Sequence, residues 1–313
     1  MGLYTAIVQG VLIGGLYAAA ALALSLIFGS LKVVNLAHGE LVVGGAYLTY
    51  ALTGATGWST FEVLPLTMVV MAVVGFAVYR GLLDRLARRG PSGPLIATFG
   101  LSLVAQALFA AAYTDDPRVL PGQFASTGLD LLGVRVQESY LIALLISAAV
   151  ALLVHLGLSR TRAGAAVRAA ATDPVTTELM GVNVRRLQAI VFGAAAAVAA
   201  IGGVMVGISV SFTPSSGTSL LVIGFAVVVL GGLGNVVGTF AAALLVGVVQ
   251  SLTAFSLGGG LRDLAVYVVL LAVLALRPEG LFTRRVRLTR RDRSGADAGS
   301  YPTGGDVAVG ATS

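Results

Sequence analysis

The 313-residue chain has no cysteine, a single lysine, one tryptophan and two histidines, and only 11% of its residues are charged. Soluble domains carry roughly 25% charged residues, so this composition tells against a soluble fold. Without cysteine there is no disulfide, zinc-thiolate site or iron–sulfur cluster, and cysteine usage says nothing of the redox compartment. The lone lysine, Lys32, is followed by Val33; the phosphate-binding P-loop needs Lys followed by Ser or Thr, so the chain cannot hydrolyse ATP by that route. His38 and His155 do not form an H-E-x-x-H zinc site, and Gly207-Ile208-Ser209 lacks the closing glycine of a G-x-S-x-G nucleophile elbow. The span interiors hold no acid relay of the kind that powers proton-coupled carriers, and Arg262-Asp263 falls at a predicted helix end. No metal or cofactor is expected on this chain, and the energy for any transport must come from outside it.

What the chain has is apolar surface: 57% hydrophobic residues and a mean hydropathy of +0.94. Nine apolar runs, 3–28, 41–52, 61–79, 95–113, 139–158, 188–211, 220–233, 236–255 and 261–276, can cross about 30 Å of hydrocarbon as helices, the shorter ones with tilt or partner packing. The expectation is an all-α integral membrane protein, a polytopic bundle of about 8–10 transmembrane helices with broken helices. Residues 3–28 have no basic n-region and outrun a signal h-region, so they read as a retained span. One permease domain is expected over 1–282, then a basic and finally disordered cytoplasmic tail over 283–313, rich in Gly, Ser and Asp.

The net charge of +6 reflects orientation in a lipid bilayer rather than nucleic-acid binding, because the arginines sit between apolar runs. Three basic segments must share one side: Arg80, Arg85, Arg88 and Arg89; Arg160, Arg162, Arg168, Arg185 and Arg186; and the tail from Arg277 to Arg293. Two runs separate the first two segments and four separate the last two, so the count is self-consistent. It places the N-terminus outside, the C-terminus in the cytoplasm, and the acidic 114–138 loop outside. Glycine pairs four residues apart, Gly10/Gly14, Gly203/Gly207 and Gly234/Gly238, predict close helix contacts.

Three segments are candidates for function. Asn35-Leu36-Ala37-His38-Gly39-Glu40, with Lys32 before it, is the most polar stretch between two apolar runs. Intramembrane polar groups are expensive unless they line a cavity or pair with one another. Either a helix breaks here beside a translocation path, with Gly39 permitting irregular backbone, or this is a connecting turn at the interface with Lys32 snorkelling. Gly231-Gly232-Leu233-Gly234-Asn235, followed by Gly238, is either a pore-lining discontinuity or, slightly favoured by composition, a tight turn. The connection 159–187 contains a short helix signal: Asp173 at the N-cap, Pro174 at the first helical position, Gly181 beyond the C-terminal end. A capped helix between spans suits docking on a force-supplying partner, or else caps the bundle.

Taken with their order and spacing, these residues resemble the branched-chain amino-acid permeases of the ATP-binding cassette importers, specifically the first of their two paired membrane subunits. The likeness runs to about Phe282 and also includes Gly15-Leu16-Tyr17-Ala18 and Arg277-Pro278-Glu279-Gly280-Leu281-Phe282; Thr283 departs from the glycine expected there. The resemblance implies a second homologous permease subunit, two cytoplasmic ATPases that use ATP and magnesium, and an extracytoplasmic solute-binding protein delivering leucine, isoleucine, valine or a related compound. It implies that Arg162, Gly164, Arg168, Asp173, Pro174, Glu178 and Gly181 belong to the ATPase-coupling segment. It further implies that Asn35, His38, Gly39 and Glu40, with Gly231, Gly232, Gly234 and Asn235, line or shape the path. The competing readings are a permease of the same superfamily for urea, sugars or nucleosides, an ATP-independent channel, and an intramembrane enzyme.

Overall fold

The computed structural model describes residues 2–87, 90, 92–121, 128–131, 134–277 and 280–282. Arg88, Arg89, Pro278, Glu279, Thr283 and the expected tail lie outside them. The chain divides into units of residues 1–283 and 284–313, the second wholly beyond the described residues.

The apolar runs are helices: α1 (Leu3–Leu31), α2 (His38–Thr56), α3 (Thr60–Val78), α5 (Gly93–Tyr113), α6 (Glu138–Arg160), α9 (Val184–Ser209), α10 (Ser216–Gly231), α11 (Val236–Ser256) and α12 (Arg262–Leu276). A π-helical turn, Tyr79–Leu83, carries α3 into the short α4 (Asp84–Ala87), making one continuous span of 28 residues. Seven of these helices are long and apolar enough to cross a membrane among the described residues; α2 and α10 are not among the seven. α10 has only 16 residues, about 24 Å of helix against roughly 30 Å of hydrocarbon. The chain is an all-α polytopic membrane protein. Among the described residues its only sheet is a hairpin, β1 (Gly128–Leu131) and β2 (Val134–Gln137), which no apolar-run search would find.

α1 and α9 form the centre, each with 78% of its apolar window buried, whereas α5 and α12 at 6% are peripheral. In lipid there is no hydrophobic drive between helices, so close backbone packing must hold them together. Gly10 and Gly14 show how: a Cβ at Gly10 would lie 2.6 Å from the Val248 Cα, and one at Gly14 2.5 Å from the Leu244 Cα. That pair makes a close helix contact of the kind the sequence predicts, here between α1 and α11. The Gly207 partner is different, since it packs on Leu120 and Phe212 of the connecting segments.

Arg80, Arg85, Arg160, Arg162, Arg168, Arg185, Arg186 and Arg277 belong to the helix ends and connections that alternate with the hairpin side, and several contacts draw this basic end together. Tyr79 donates to Gln188 at 2.8 Å, and the Leu281 N–H to the Leu230 carbonyl at 2.8 Å. At the opposite end Arg118 pairs with Phe212 as an antiparallel bridge, and Thr60 donates to the Pro121 carbonyl.

Most helix ends shift by a few residues from the apolar runs, and one helix is added. α1 runs a turn beyond residue 28 and ends where Lys32 adopts a left-handed φ of 52°. α7 (Arg162–Thr172) is an additional helix, N-capped by Thr161 accepting from the Gly164 N–H at 2.9 Å. Its mixed Arg and Ala composition hides it from a search for apolar runs.

Candidate functional site

After Lys32 the chain turns back into the bundle. Lys32 is exposed, residues 33, 34 and 36 are half-buried, and Asn35, Ala37, His38, Gly39 and Glu40 are buried. His38 Nε2 donates to the Ala20 carbonyl at 3.0 Å. Ala20 lies eleven residues before the end of α1, roughly 16 Å along its axis and so near mid-depth of a 30 Å bilayer. Ser102, nine residues into α5, donates to Glu40 Oε1 at 3.4 Å, which sets the same depth. The segment is therefore not a connecting turn at the interface. The irregular backbone covers residues 32–37, and α2 begins well inside. One fixing is local and one comes from α5: Asn35 Oδ1 accepts from the Ala37 N–H at 3.1 Å, and Thr98 Oγ1 accepts from the Leu36 N–H at 3.2 Å. Sequence reasoning passed over Thr98 and Ser102, although their i, i+4 spacing places both on one face of α5.

Gly39 does not supply irregular backbone; it is helical, in the first turn of α2. Its missing side chain serves close approach instead, because a Cβ there would overlap the Gly217 carbonyl oxygen. Gly217 in turn lies against the Glu40 carboxylate, with its Cβ position 2.5 Å from Oε1. The first turns of α2 and α10 thus meet inside the bundle, as happens where discontinuous helices line a path. Three buried atoms of this segment have no hydrogen-bond partner among the described residues: Asn35 Nδ2, His38 Nδ1 and Glu40 Oε2.

Residues 231–235 form a tight turn between α10 and α11. Gly232 and Gly234 take φ values of 89° and 83°, which glycine adopts without strain. Asn235 N-caps α11 by accepting from the Gly238 N–H at 3.0 Å, and its Nδ2 donates to the Phe282 carbonyl at 3.1 Å. Fourteen residues of α10 separate Gly217 from Gly231, about 21 Å, so Asn35, His38, Gly39 and Glu40 are not brought together with Gly231, Gly232, Gly234 and Asn235.

The connection between α6 and α9 holds α7 and α8 (Pro174–Leu179). Asp173 Oδ1 accepts from the Val175 and Thr176 N–H groups at 3.0 and 3.1 Å, and Thr176's hydroxyl donates to Oδ2 at 2.5 Å. The hydroxyl bond, aided by the backbone ones, holds the Asp173 carboxyl below its ordinary pKa. Pro174 opens α8, and Gly181 follows its end at φ 86°. α8 presents apolar side chains to solvent: Val175, Leu179 and Met180 are 67, 83 and 80% exposed. Gly164 fits the α6–α7 corner against the Gly157 and Leu158 carbonyls, while Glu178 and Gly181 border a groove with Arg185. A cavity of about 320 Å³ at the basic end is lined by Ser30, His155, Arg168, Gly234 and Asn235 among others. It brings one residue of the coupling candidates beside the glycine-rich turn.

A helical bundle in which the first turns of α2 and α10 meet, with a capped helix displayed between spans, suits a membrane permease. Residues 6–274 match the family described as branched-chain amino acid transport system / permease component, and the chain belongs to that family. It is 28% identical over 291 residues to the high-affinity branched-chain amino acid transport system permease protein BraD of Pseudomonas aeruginosa, covering 89% of this chain and 95% of that one. It is 26% identical over 293 residues to LivH of Escherichia coli, described in the same terms (88% and 94% covered), and 25% identical over 279 residues to a probable LivH of Methanocaldococcus jannaschii (83% and 86%). No solved structure matches the chain.

Proposed function

We propose that this permease moves branched-chain amino acids, or closely related small amino acids and amides, through the inner membrane as one subunit of an ATP-binding cassette importer. In this reading it pairs with a second homologous permease, two cytoplasmic ATPases and an extracytoplasmic binding protein, with its N-terminus outside and its C-terminus in the cytoplasm. The relatives' described activity supports the substrate class, and the even count of apolar runs between basic segments supports the orientation.

The observation that carries the mechanism is α8. A six-residue helix held by an Asp173 cap, opened by Pro174 and closed by Gly181 is costly to maintain unless something docks on it, and its exposed Val175, Leu179 and Met180 form an apolar contact surface. Closure of the ATPases on ATP would displace α8 with α7, rock α6 and α9 to which they are joined, and alternate access to the segment at residues 35–40. Arg162, Gly164, Arg168 and Glu178 shape that coupling segment. Gly231, Gly232, Gly234 and Asn235 shape the cytoplasmic end of the path beside the 320 Å³ cavity.

The test is purification of the tagged chain from native membranes in mild detergent. Two ATPases and a second permease should co-purify, and leucine delivered by the binding protein should stimulate ATP hydrolysis. The double substitution Leu179→Asp, Met180→Asp should release the ATPases while the second permease stays bound. Retention of the ATPases by that variant, or solute flux by the chain alone in ATP-free vesicles, would overturn the coupling assignment.

A further inference from the structure

Residues 114–121, between α5 and the hairpin, form a strap stitched across the hairpin end of the bundle. The Leu120 N–H donates at 2.8 Å to the Gly207 carbonyl, one of the last carbonyls of α9 and so without an intrahelical partner. The Arg118 N–H donates to the Phe212 carbonyl at 3.0 Å, and the Phe212 N–H to the Arg118 carbonyl at 2.9 Å. The Pro121 carbonyl accepts from Thr60, the first residue of α3. Leu120 and Phe212 are 1% exposed and share one apolar cluster with Tyr47, whose ring meets Phe212 edge-on at 5.0 Å and stacks on Tyr113 at 4.5 Å.

The Arg118 side chain adds what the backbone does not. Nη1 donates to the Tyr50 hydroxyl at 2.8 Å and Nη2 to the Tyr113 carbonyl at 2.9 Å. The guanidinium carbon also stands 5.0 and 5.6 Å from the centres of those two rings, a cation–π geometry that strengthens away from water. One guanidinium thus ties α2, through Tyr50, to the end of α5. Its Nε is buried without a partner among the described residues, a donor that the closed arrangement leaves unsatisfied. At the α5 end of the strap Thr114 holds φ 59° and ψ 176°, a region that is essentially glycine's own. The strap is closed but under strain, and strain of this kind gathers at switch regions.

The elements that Arg118 joins lead to the discontinuity inside the bundle. Tyr50 belongs to α2, and Phe212 lies four residues before α10, in the connection from α9. Those are the helices whose first turns meet at Gly39 and Gly217. We infer that residues 114–121 are the extracytoplasmic gate of the permease, with the Arg118 guanidinium as its latch. Release of Tyr50 and Tyr113 lets the strap lift with Phe212 and opens the way to the junction of α2 and α10. This deepens the permease reading and rests on it and on the proposed orientation. The backbone bridge to Phe212 is available to any residue at position 118 except proline, so substituting the side chain removes the latch and keeps the stitching.

Because the chain has no cysteine, a single introduced one reports local access. Met205→Cys places it on α9, where Met205 is 0% exposed in the same cluster as Tyr47, Leu120 and Phe212. Ser147→Cys places it at a 0% exposed position of α6 as a control. The complete transporter, in proteoliposomes with ATP enclosed, is treated from the extracytoplasmic side with a membrane-impermeant maleimide, and the label on this chain is measured. With Arg118 in place, Met205→Cys should react slowly at rest and at least fivefold faster when binding protein and leucine drive turnover. Arg118→Gln should raise the resting rate at Met205→Cys at least tenfold and leave Ser147→Cys within twofold. A variant that merely loosens the fold exposes both cysteines, so equal gains overturn the gate, as do no gain at Met205→Cys or no acceleration on turnover. Leucine uptake by the wild-type transporter with its binding protein tests the underlying reading separately. Normal uptake without these changes in access overturns only the gate, whereas absent uptake overturns both.

Discussion

At the turn of residues 231–235 both ends of the Asn235 amide are bonded, one to the Gly238 N–H and one to the Phe282 carbonyl. In the segment of residues 35–40, three buried polar atoms have no partner among the described residues, although this segment lies deeper. Both interruptions use glycine against glycine: Gly234 meets Gly29, and Gly39 meets Gly217. The difference lies in what glycine is for. At the turn it permits left-handed backbone so that a saturated corner can close. At Gly39 it removes a side chain so that two helix starts can touch around unsaturated polar groups. An intramembrane polar group left unpaired is expensive; the fold satisfies the first arrangement and leaves the second unsatisfied among the described residues.

The largest test of this contrast is Gly39→Val, whose side chain would overlap the Gly217 carbonyl. It should cut leucine uptake at least tenfold, whereas Gly54→Ala, with nothing within 4 Å, should leave uptake and membrane expression unchanged. Thr98→Val should come next. It strands the Leu36 N–H in a half-buried site and should lower stability by about 1–3 kcal/mol, read as a lower melting temperature in detergent. Asn235→Ala removes a helix cap and the tie to Phe282, at about 0.5–2 kcal/mol. If it harms uptake more than Thr98→Val at matched expression, the saturated turn is more than a corner and the contrast breaks.

The smallest effect belongs to α8. Asp173→Ala should raise the hydrogen-exchange rates of the Val175 and Thr176 amides several-fold with little change in melting temperature. Because the folded-state pKa of Asp173 is depressed, the cap's contribution is fully present above the ordinary aspartate value and fades only as pH falls through the lower folded value. Exchange at these two amides should therefore be insensitive to the ionisation of Asp173 near neutral pH, after correction for intrinsic rates. A rise on going from pH 7 to 6 would sink the assignment of the cap.

Much of this was legible from residues alone. The nine runs fall on nine helices, seven of them long and apolar enough to cross a membrane among the described residues, because apolar helices are encoded by composition, which needs no knowledge of neighbours. The α8 cap was legible for the same reason: Asp173, Pro174 and Gly181 act within one turn of their own positions. The unmarked features depend on partners. α7 has no apolar run, and the hairpin near residues 128–137 is short. The π-helical turn at Tyr79–Leu83 leaves no residue pattern of its own.

The segment at residues 35–40 shows where local reasoning stops. Its residue types announced an unusual polar cluster, yet sequence alone left interface turn and broken helix open and gave Gly39 a backbone role it does not have. Depth was decided by His38 reaching Ala20 and Glu40 meeting Ser102, residues 18 and 62 positions away. The sequence by itself determined that the chain is a polytopic helical membrane protein, where its apolar helices lie and which connections are basic, because hydropathy and charge act through the bilayer on each segment separately. Only the tertiary structure decided that the first turns of α2 and α10 meet, and which polar atoms are left unpartnered there, because hydrogen-bond satisfaction is a property of packed neighbours and not of any one residue.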